Sequence, residues 1–430
     1  MAAQLAAEAM KMSVEARRGM AQALFDALRR DGATNRGVSR DPYGAGEQRA
    51  HATAVQAAQA LGLEITGDAA ANTYMTWPGK DRAAPRIVIG SHLDSVPQGG
   101  NFDGAAGVVA GLAAVAALQA SGVQPACDVT VMAIRAEESI WFQVSYLGSR
   151  GALGTLPDGA MAARRIDTGR ALADHVRDCG GDPAALQAGA RHLDPAMVRA
   201  FLEVHIEQAP SLVEAGLPVA ICTGIPGNFR HAEARIIGAD DHVGLPRRFR
   251  RDAGLAGAEF HLAMDALWRD FEARGVPMAC TLGKFYTDPA RHGLTVVPGS
   301  FAFSLDVRAY DEAVLAELEQ RMHAIIAGIE VRRGVRFDLG PRASAAVGAV
   351  DPGIRAGLEQ AAAAQGVATM ALGSPASHDA AAFAAAGVKM GMLFIRNENG
   401  SHNPDEAMEL DDFLAATRVL TQWLAGAVGG

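Results

Sequence analysis

The sequence of 430 residues lacks paired cysteines, a long uninterrupted apolar run and an excess of positive charge. Its four cysteines are isolated, which argues against a disulfide framework and predicts reduced thiols in the cytoplasm. A net charge of -9 argues against a dedicated nucleic-acid-binding protein, whose surface would be basic. Charged residues interrupt the N-terminal segment, so we expect an amphipathic helix there and no signal peptide.

The most apolar stretch, residues 104–123, is built of small residues and contains Gln119. It is short for a membrane span, and a helix buried against a sheet explains it better, so we expect no membrane partner. The chain is too long for one ordinary core, which predicts two domains.

Short apolar runs alternate with longer helical patterns along most of the chain. We predict strands at 86–91, 128–138, 201–208 and 389–397, and helices at 104–120, 353–364 and 411–424. This alternation is typical of the α/β class, with a mostly parallel, buried sheet and helices on both faces. Ligands of such sheets lie beyond the carboxyl ends of the strands.

The middle of the chain has a different pattern. Polar and apolar residues alternate at 231–242 and 300–310, as in an antiparallel sheet with one exposed face. Helical patterns follow each stretch, at 254–274 and 312–328. The sequence therefore predicts an inserted α+β domain of ferredoxin-like type at 223–333. The main domain would comprise 1–222 and 334–430.

Histidines and carboxylates occur at or near the predicted strand ends. The loop "GSHLDSVPQGGNFDG" spans residues 90–104, "EE" ends a buried strand, "EVHIEQ" carries one histidine, and "NGSHNP" carries another. Nitrogen and carboxylate ligands without thiolates favour Zn²⁺, Mn²⁺ or Co²⁺ over Ca²⁺. A carboxylate that bridges two such ions would let them activate water and polarise a carbonyl together. The residues concerned are His92, Asp94, Asp103, Glu137, Glu138, His205 and His402.

Each motif alone has an ordinary structural explanation. An HxD pair is often a capping or surface feature, and a double glutamate is often a solvated face. The Gly-rich loop could cradle a phosphate, but it lacks the lysine of a P-loop, and Asp103 would repel an anion. A metal-dependent binding protein without catalysis and a nucleotide-binding α/β protein remain alternatives.

The whole set of motifs resembles the dinuclear zinc amidohydrolases of the aminoacylase/carboxypeptidase superfamily. Within it, the chain looks like the hydantoinase/carbamoylase branch, which contains N-carbamoyl-L-amino acid hydrolases and allantoate amidohydrolases. The resemblance rests on motifs that span nearly the whole chain in the family's order: "GSHLDSVPQGGNFDG", "AEESIWFQVSYLGSRGALG", "EVHIEQAP", "GADDHVGLPRRFRRDA", "VVPGSFAFSLDVR", "GSPASHDA" and "NGSHNPDE".

The resemblance implies two divalent metal ions per subunit, Zn²⁺ with Mn²⁺ and Co²⁺ as alternatives. One ion would be held by His92, Asp103 and His205, and the other by Asp103, Glu138 and His402. Asp94 would orient His92 from behind. Glu137 would be the general base and then the general acid.

The resemblance also makes the inserted domain a lid and dimerisation domain of a homodimer. His242 would stabilise the oxyanion, and Arg308 would bind a substrate carboxylate through its planar fork. Their structural alternatives are a surface histidine of the lid and a strand arginine paired with a neighbouring acid. The other expected substrate contacts are Gln208, Asn228, Thr295 and His378. Thr295 stands where the family often has asparagine, and because threonine lacks the paired donor and acceptor of an amide, we expect substrate recognition to differ from that of the best-known carbamoylases.

The implied reaction is hydrolysis of a linear C–N bond in a small carboxylate-bearing substrate. We expect an N-carbamoyl-L-amino acid, which would yield the amino acid, CO2 and ammonia. Allantoate-type ureido acids and N-acyl amino acids are the alternative substrates.

Overall fold

The computed structural model describes residues Ala2–Gly429, with side chains from residue 7 onward. The chain forms two compact units. The first contains the residues up to Ile225 and those from Ala349, and the second is Pro226–Gly348. None of the described helices is long and apolar enough to cross a membrane.

The α-helices of the described residues lie mostly where apolar positions recur with helical spacing. In chain order they are α1 (Ala2–Glu15), α2 (Arg18–Gly32), α3 (Ala45–Ala60), α4 (Ala105–Ala120), α5 (Leu147–Leu153), α6 (Leu172–Asp178), α7 (Pro183–Gln187), α8 (Ser211–Ala215), α9 (Ala253–Ala273), α10 (Glu312–Arg333), α11 (Pro352–Ala364), α12 (Asp379–Ala385) and α13 (Leu410–Val428). Short 3₁₀ turns occupy Ala160–Ala162, Pro195–Met197 and Arg247–Phe249.

The strands of the described residues divide between the two units. In chain order they are β1 (Glu64–Gly67), β2 (Thr73–Trp77), β3 (Arg86–His92), β4 (Val129–Ile134), β5 (Val198–Ile206), β6 (Val219–Cys222), β7 (Gly227–Ile237), β8 (Asp241–His242), β9 (Met278–Thr281), β10 (Phe285–Thr287), β11 (Val296–Val297), β12 (Ser300–Ala309), β13 (Arg336–Asp338), β14 (Ala343–Ala345), β15 (Thr369–Leu372) and β16 (Met390–Ile395).

The first unit is built on an eight-stranded sheet in the order β1-β2-β4-β3-β5-β16-β6-β15. Its four central strands, β4, β3, β5 and β16, are parallel neighbours. Antiparallel pairs occur between β1 and β2, between β2 and β4, and between β16 and β6. The predicted α/β class with a mostly parallel sheet is confirmed.

Helices cover both faces of this sheet, because alternate residues of a strand point to opposite sides. Ile87 and Ile89 of β3 belong to the core beneath α4 and α13. Val88, between them, belongs to the opposite core. There Phe201 of β5 stacks on Phe383 of α12, with ring centroids 3.7 Å apart.

Helix α4 lies very close to the sheet, and this closeness sets the position of the loop before it. A Cβ on Gly107 would lie 2.3 Å from the carbonyl oxygen of Val204, so only glycine fits there. The helix is otherwise made largely of alanine and valine and is buried over most of its length. Its first turn therefore begins directly beside the ends of the central strands.

The second unit has a six-stranded antiparallel sheet. Strands β10, β12, β7 and β13 are neighbours in that order, while β9 also pairs with β12 and β14 with β7. Helices α9 and α10 contribute to its core, where Phe260 packs against Phe303 and Phe337. Because β13 and β14 pair with β7, this unit runs to Gly348, beyond the predicted insertion of 223–333. Its role as a lid and dimerisation domain stays a prediction.

Two predicted strands differ in extent from those in the structure. Strand β4 ends at Ile134 rather than at residue 138, because the backbone turns away from the sheet after Arg135. The predicted strand 231–242 is divided into β7 and the short β8. Because β4 ends at Ile134, Glu137 and Glu138 lie in a loop.

Candidate metal centre

Five side chains reach the carboxyl edge of the central strands from separate segments. His92 ends β3, and Asp103 lies just before α4. Glu138 follows β4, His205 lies near the end of β5, and His402 follows β16. Parallel strands bring their carboxyl ends to one edge of a sheet, which explains why residues so distant in sequence meet.

His92, Asp103 and His205 form the first group of donor atoms. The Nε2 atom of His205 lies 3.0 Å from Oδ1 of Asp103, and the Nε2 atom of His92 lies 3.7 Å from the same oxygen. The two imidazole nitrogens are 3.5 Å apart. One donor atom from each residue lies within 4.8 Å of the others, a spacing at which one cation could be held.

Asp103, Glu138 and His402 form the second group, with the same limit of 4.8 Å between donor atoms. The Nε2 atom of His402 lies 3.3 Å from Oδ2 of Asp103 and 3.2 Å from Oε1 of Glu138. The carboxylate of Asp103 therefore presents one oxygen to each group.

One feature of Asp103 indicates that these residues are suited to hold a metal ion. Its Oδ1 atom is buried and accepts no hydrogen bond, although the two imidazoles face it. A buried carboxylate oxygen without a hydrogen bond is costly unless a cation lies beside it. Imidazole nitrogen and carboxylate oxygen suit Zn²⁺, Mn²⁺ and Co²⁺.

The titration of these groups shows how strongly they interact. Hydrogen bonds to Asp103 and Glu138 raise the pKa of His402 to about 11. Burial opposes ionisation of Asp103, yet the adjacent imidazoles of His205 and His402 hold the pKa of that carboxyl well below its usual range. Burial also raises the pKa of Glu138. The cluster thus concentrates charge that a bound cation would balance.

Asp94 lies beside His92, and Glu137 directly precedes Glu138 in the loop after β4. The carboxylate of Asp94 accepts the backbone N–H groups of Glu137, at 3.0 Å, and Glu138, at 3.1 Å. The same carboxylate lies 3.5 Å from Nδ1 of His92. Asp94 therefore connects the loop after β3 with the loop after β4. Burial and the neighbouring carboxylates raise the pKa of Glu137 well above its usual range, although His92 opposes the rise.

Two residues that the sequence analysis did not single out support Asp103. The Ser401 hydroxyl donates to Oδ2 of Asp103 at 2.7 Å and lies 2.7 Å from Oε2 of Glu406. Glu406 accepts the backbone N–H groups of Phe102 and Asp103, at 2.8 and 3.3 Å. Their only signal in the sequence was their proximity to His402 in "NGSHNPDE".

His378 and Glu203 form a third group with His205, within the same 4.8 Å limit. Glu203 already accepts the Ser91 hydroxyl at 2.9 Å and the Ala380 N–H at 2.9 Å. His378 is buried, and its ring centroid lies 4.4 Å from that of His205. Burial and the charge of His205 lower the pKa of His378 well below its usual range. This neutral ring packs behind a ligand candidate.

Gln208 lies against the donor groups in a left-handed conformation, with φ of 65°. Its Nε2 atom donates to Oδ2 of Asp103 at 3.0 Å, and its backbone N–H donates to Asn397. Its Oε1 atom is buried and has no hydrogen-bond partner. An acceptor is therefore available beside the candidate metal centre.

The second unit carries four predicted site residues as two pairs: the predicted oxyanion residue His242 and the predicted substrate contacts Asn228, Thr295 and Arg308. Asn228 of β7 is opposite Arg308 of β12. His242 of β8 is opposite Val296, and the N–H of the following Val243 donates to the Thr295 carbonyl. The Arg308 guanidinium donates to Asp306 at 2.8 Å.

The loop before α4 depends on Gly104, which leads to a testable prediction. Gly104 has φ of 65°, and a Cβ there would lie 2.5 Å from the His92 ring. We expect Gly104→Ala to lower the free energy of unfolding by about 1–2 kcal/mol for the left-handed backbone and by a further ~1–3 kcal/mol for the clash. Urea denaturation of the metal-free protein measures both contributions together.

Gly122, which follows the other end of α4, is the matched control. It has φ of 72°, but nothing lies within 4 Å of a Cβ placed there. Gly122→Ala should therefore lose only the backbone contribution. Equal losses of stability in the two variants would contradict a steric role for Gly104 at His92.

Comparisons with known proteins agree with this geometry. The chain matches Peptidase family M20/M25/M40, whose enzymes are metal-dependent, over residues 88–426. It is 33% identical to an N-carbamoyl-L-amino acid amidohydrolase of Geobacillus stearothermophilus, with 90% of this chain and 93% of that protein aligned. It is 29% identical to a probable allantoate deiminase of Oryza sativa subsp. japonica, with 87% and 82% aligned.

A solved structure has the same fold across almost the whole chain. The crystal structure of a hydantoinase/carbamoylase family amidase from Burkholderia ambifaria matches with a TM-score of 0.81 at 28% identity, over 96% of this chain and 98% of that one. The resemblance to the hydantoinase/carbamoylase branch is thereby confirmed, and the nucleotide-binding alternative receives no support. The chain belongs to Peptidase family M20/M25/M40.

Proposed function

We propose that this protein is a dinuclear metal-dependent amidohydrolase that converts N-carbamoyl-L-amino acids to the amino acid, CO2 and ammonia. The observation that carries the proposal is the carboxylate of Asp103, which contributes one oxygen to each of two donor groups. The relatives named N-carbamoyl-L-amino acid amidohydrolase support the substrate class. Those named allantoate deiminase make allantoate the second candidate.

In this proposal His92, Asp103 and His205 hold one ion, and Asp103, Glu138 and His402 hold the other. Two divalent cations bound there would supply Lewis-acid activation of the substrate carbonyl and of water. Zn²⁺ is the proposed metal, with Mn²⁺ and Co²⁺ as alternatives.

Glu137 accepts the proton of the attacking water and returns it to the leaving nitrogen. Its position directly before the ligand candidate Glu138 supports this role, because a general base must lie within reach of the water it deprotonates. The backbone hydrogen bonds to Asp94 keep Glu137 and Glu138 in fixed relative positions. One water is consumed, and the carbamic acid released decomposes to CO2 and ammonia.

The remaining residues bind the substrate. The unpartnered Oε1 atom of Gln208 is suited to accept an N–H of a ureido group. In the second unit, Arg308 binds the carboxylate of the substrate, with Asn228 and Thr295 as further contacts. His378, whose ring lies beside that of His205, is the remaining proposed substrate contact.

His242 is proposed to donate a hydrogen bond to the developing oxyanion. Its Nδ1 atom accepts the backbone N–H of Gly244 at 3.1 Å. A neutral imidazole that accepts at Nδ1 carries its proton on Nε2, so the free side of the ring is a donor. This is the tautomer that oxyanion stabilisation needs.

A homodimer formed through the second unit is part of the proposal. Two leucines of α9 support it, because Leu255 and Leu262 remain 43% and 69% exposed in the isolated chain. Large exposed apolar side chains in one helix favour an interface. The proposed location is the cytoplasm, which the four free cysteines support.

The function is tested by a substrate panel on metal-loaded protein. N-carbamoyl amino acids, allantoate and N-acyl amino acids are compared by released ammonia and released amine. We expect ammonia from N-carbamoyl-L-amino acids, and a loss of kcat of about 10²–10⁴-fold in Glu137→Gln with metal retained. Hydrolysis of no panel member would leave a metal-dependent binding protein instead, and near-normal turnover in Glu137→Gln would refute its role.

The number of ions is tested by metal analysis of three variants. His205→Ala and His402→Ala should each retain about one of the two ions expected for such a site, whereas Asp103→Ala should retain neither. His323→Ala, an exposed residue of α10, is the control and should bind as the wild type does. If Asp103→Ala retained as much metal as a single histidine variant, Asp103 would not be shared.

The role of Arg308 is tested against Arg230, since both arginines pair with Asp306. Arg230 Nε lies 2.5 Å from Asp306, and Arg308 Nε lies 2.8 Å from it. Arg308→Ala should lower kcat/KM by about 10–100-fold for carboxylate substrates and much less for uncharged amides. A similar loss in Arg230→Ala, or an equal loss on both substrate classes, would indicate a structural ion pair.

A further inference from the structure

A short segment before and within the first turn of α3 carries two buried charged side chains. Arg40 and Glu47 have no exposed surface. The segment lies outside residues 88–426, over which the family matches, and neither residue bears a donor atom of the candidate metal centre. Buried charges are expensive unless they have partners, so the partners of these two show what the segment does.

Arg40 binds the loop that connects β3 with α4. Its Nε donates to the Leu93 carbonyl at 2.7 Å, and its Nη1 and Nη2 atoms donate to the side chain and carbonyl of Asn101, at 3.2 and 3.3 Å. Its backbone N–H donates to the Ser95 hydroxyl, and its carbonyl accepts the Ser95 N–H. One rigid, planar guanidinium thus connects the beginning and the end of the loop.

The two ends of that loop carry metal-ligand candidates. Leu93 directly follows His92, and Asn101 comes two residues before Asp103. The contacts of Arg40 therefore fix the separation between the backbone segments that bear these two residues.

Glu47 binds the loop that follows β4. Its Oε1 accepts the N–H of Ala136 at 2.9 Å, and its Oε2 accepts Nη1 of Arg135 at 2.8 Å and the N–H of Tyr43 at 2.7 Å. Ala136 has φ of 52°, a left-handed conformation that is unfavourable for alanine and needs support from its surroundings. Glu137 and Glu138 follow directly, so this strained residue sets their direction.

We propose that Arg40 and Glu47 are positioning residues for the metal centre. Arg40 sets the loop of His92 and Asp103, and Glu47 sets the turn that presents Glu137 and Glu138. The inference rests on the proposed function in so far as it requires metal to bind at these residues. Neither side chain touches an ion or a substrate.

Glu47→Gln in the full-length chain is the test. The three groups that bind the Glu47 carboxylate are all donors, so a glutamine must turn its own NH₂ toward at least one of them. We expect about 10–100-fold weaker Co²⁺ binding, an altered Co²⁺ absorption spectrum, and a lower kcat with KM changed less than about 3-fold.

Asp128→Asn is the matched control, because it makes the same chemical change at the opposite end of β4. The buried Asp128 accepts the Gly79 N–H at 2.9 Å and the Arg82 guanidinium. The Asp128→Asn substitution should lower the free energy of unfolding without changing the Co²⁺ absorption spectrum or the Co²⁺ affinity. Arg40→Lys, which keeps the charge but loses the fork, is the second test variant and decides the question if Glu47→Gln does not fold.

The positioning role alone would be overturned if folded Glu47→Gln and Arg40→Lys bound Co²⁺ with the affinity and the absorption spectrum of the wild type. Their only change would then be a lower stability, as in Asp128→Asn. Failure of the wild-type protein to bind Co²⁺ would overturn the proposed metal centre and this inference with it. The two failures are therefore distinguishable, since the Co²⁺ measurement requires no substrate.

Discussion

The burial of the Asp103 carboxylate is the constraint on which this end of the molecule depends. A carboxylate removed from water needs opposite charge or hydrogen bonds on every side. Here imidazoles face it from His92, His205 and His402, and a hydroxyl faces it from Ser401. Even so, one of its oxygens accepts no hydrogen bond. The protein thus places an incompletely satisfied carboxylate at the edge of a rigid sheet, which is an environment that a divalent cation stabilises.

Other buried carboxylates hold the loops around this position, and they do so through backbone N–H groups. Asp94 binds the backbone of Glu137 and Glu138, Glu406 binds that of Asp103, and Glu47 binds that of Ala136. Irregular segments have few hydrogen bonds of their own, so a carboxylate that accepts several donors can fix them as firmly as a strand. The positions of the ligand candidates therefore depend on buried carboxylates outside the two donor groups.

The sequence predicts the sheet well and offers the ligand candidates, because both depend on local signals. Apolar runs followed by histidine or acidic residues at strand ends are visible without a structure, as at His92 and His205. The end of β4 is harder to predict, since Arg135 leaves the sheet for partners on α3. The roles of Ser401 and Glu406 are hard to predict for the same reason, which is that their contacts are with a residue distant in sequence. Their partner lies about three hundred positions away, and no periodicity marks a contact at that distance.

The position of His402 after the last strand of the sheet has a consequence for assembly of the protein. During synthesis, the strands that carry His92 and His205 emerge long before β16, and 298 positions separate Ser401 from Asp103. The second donor group can therefore be completed only after β16 has been synthesised and this large loop has closed. A nascent chain that captured a cation early would hold it with the first group alone, and the final strand would then complete the pair around an ion already in place.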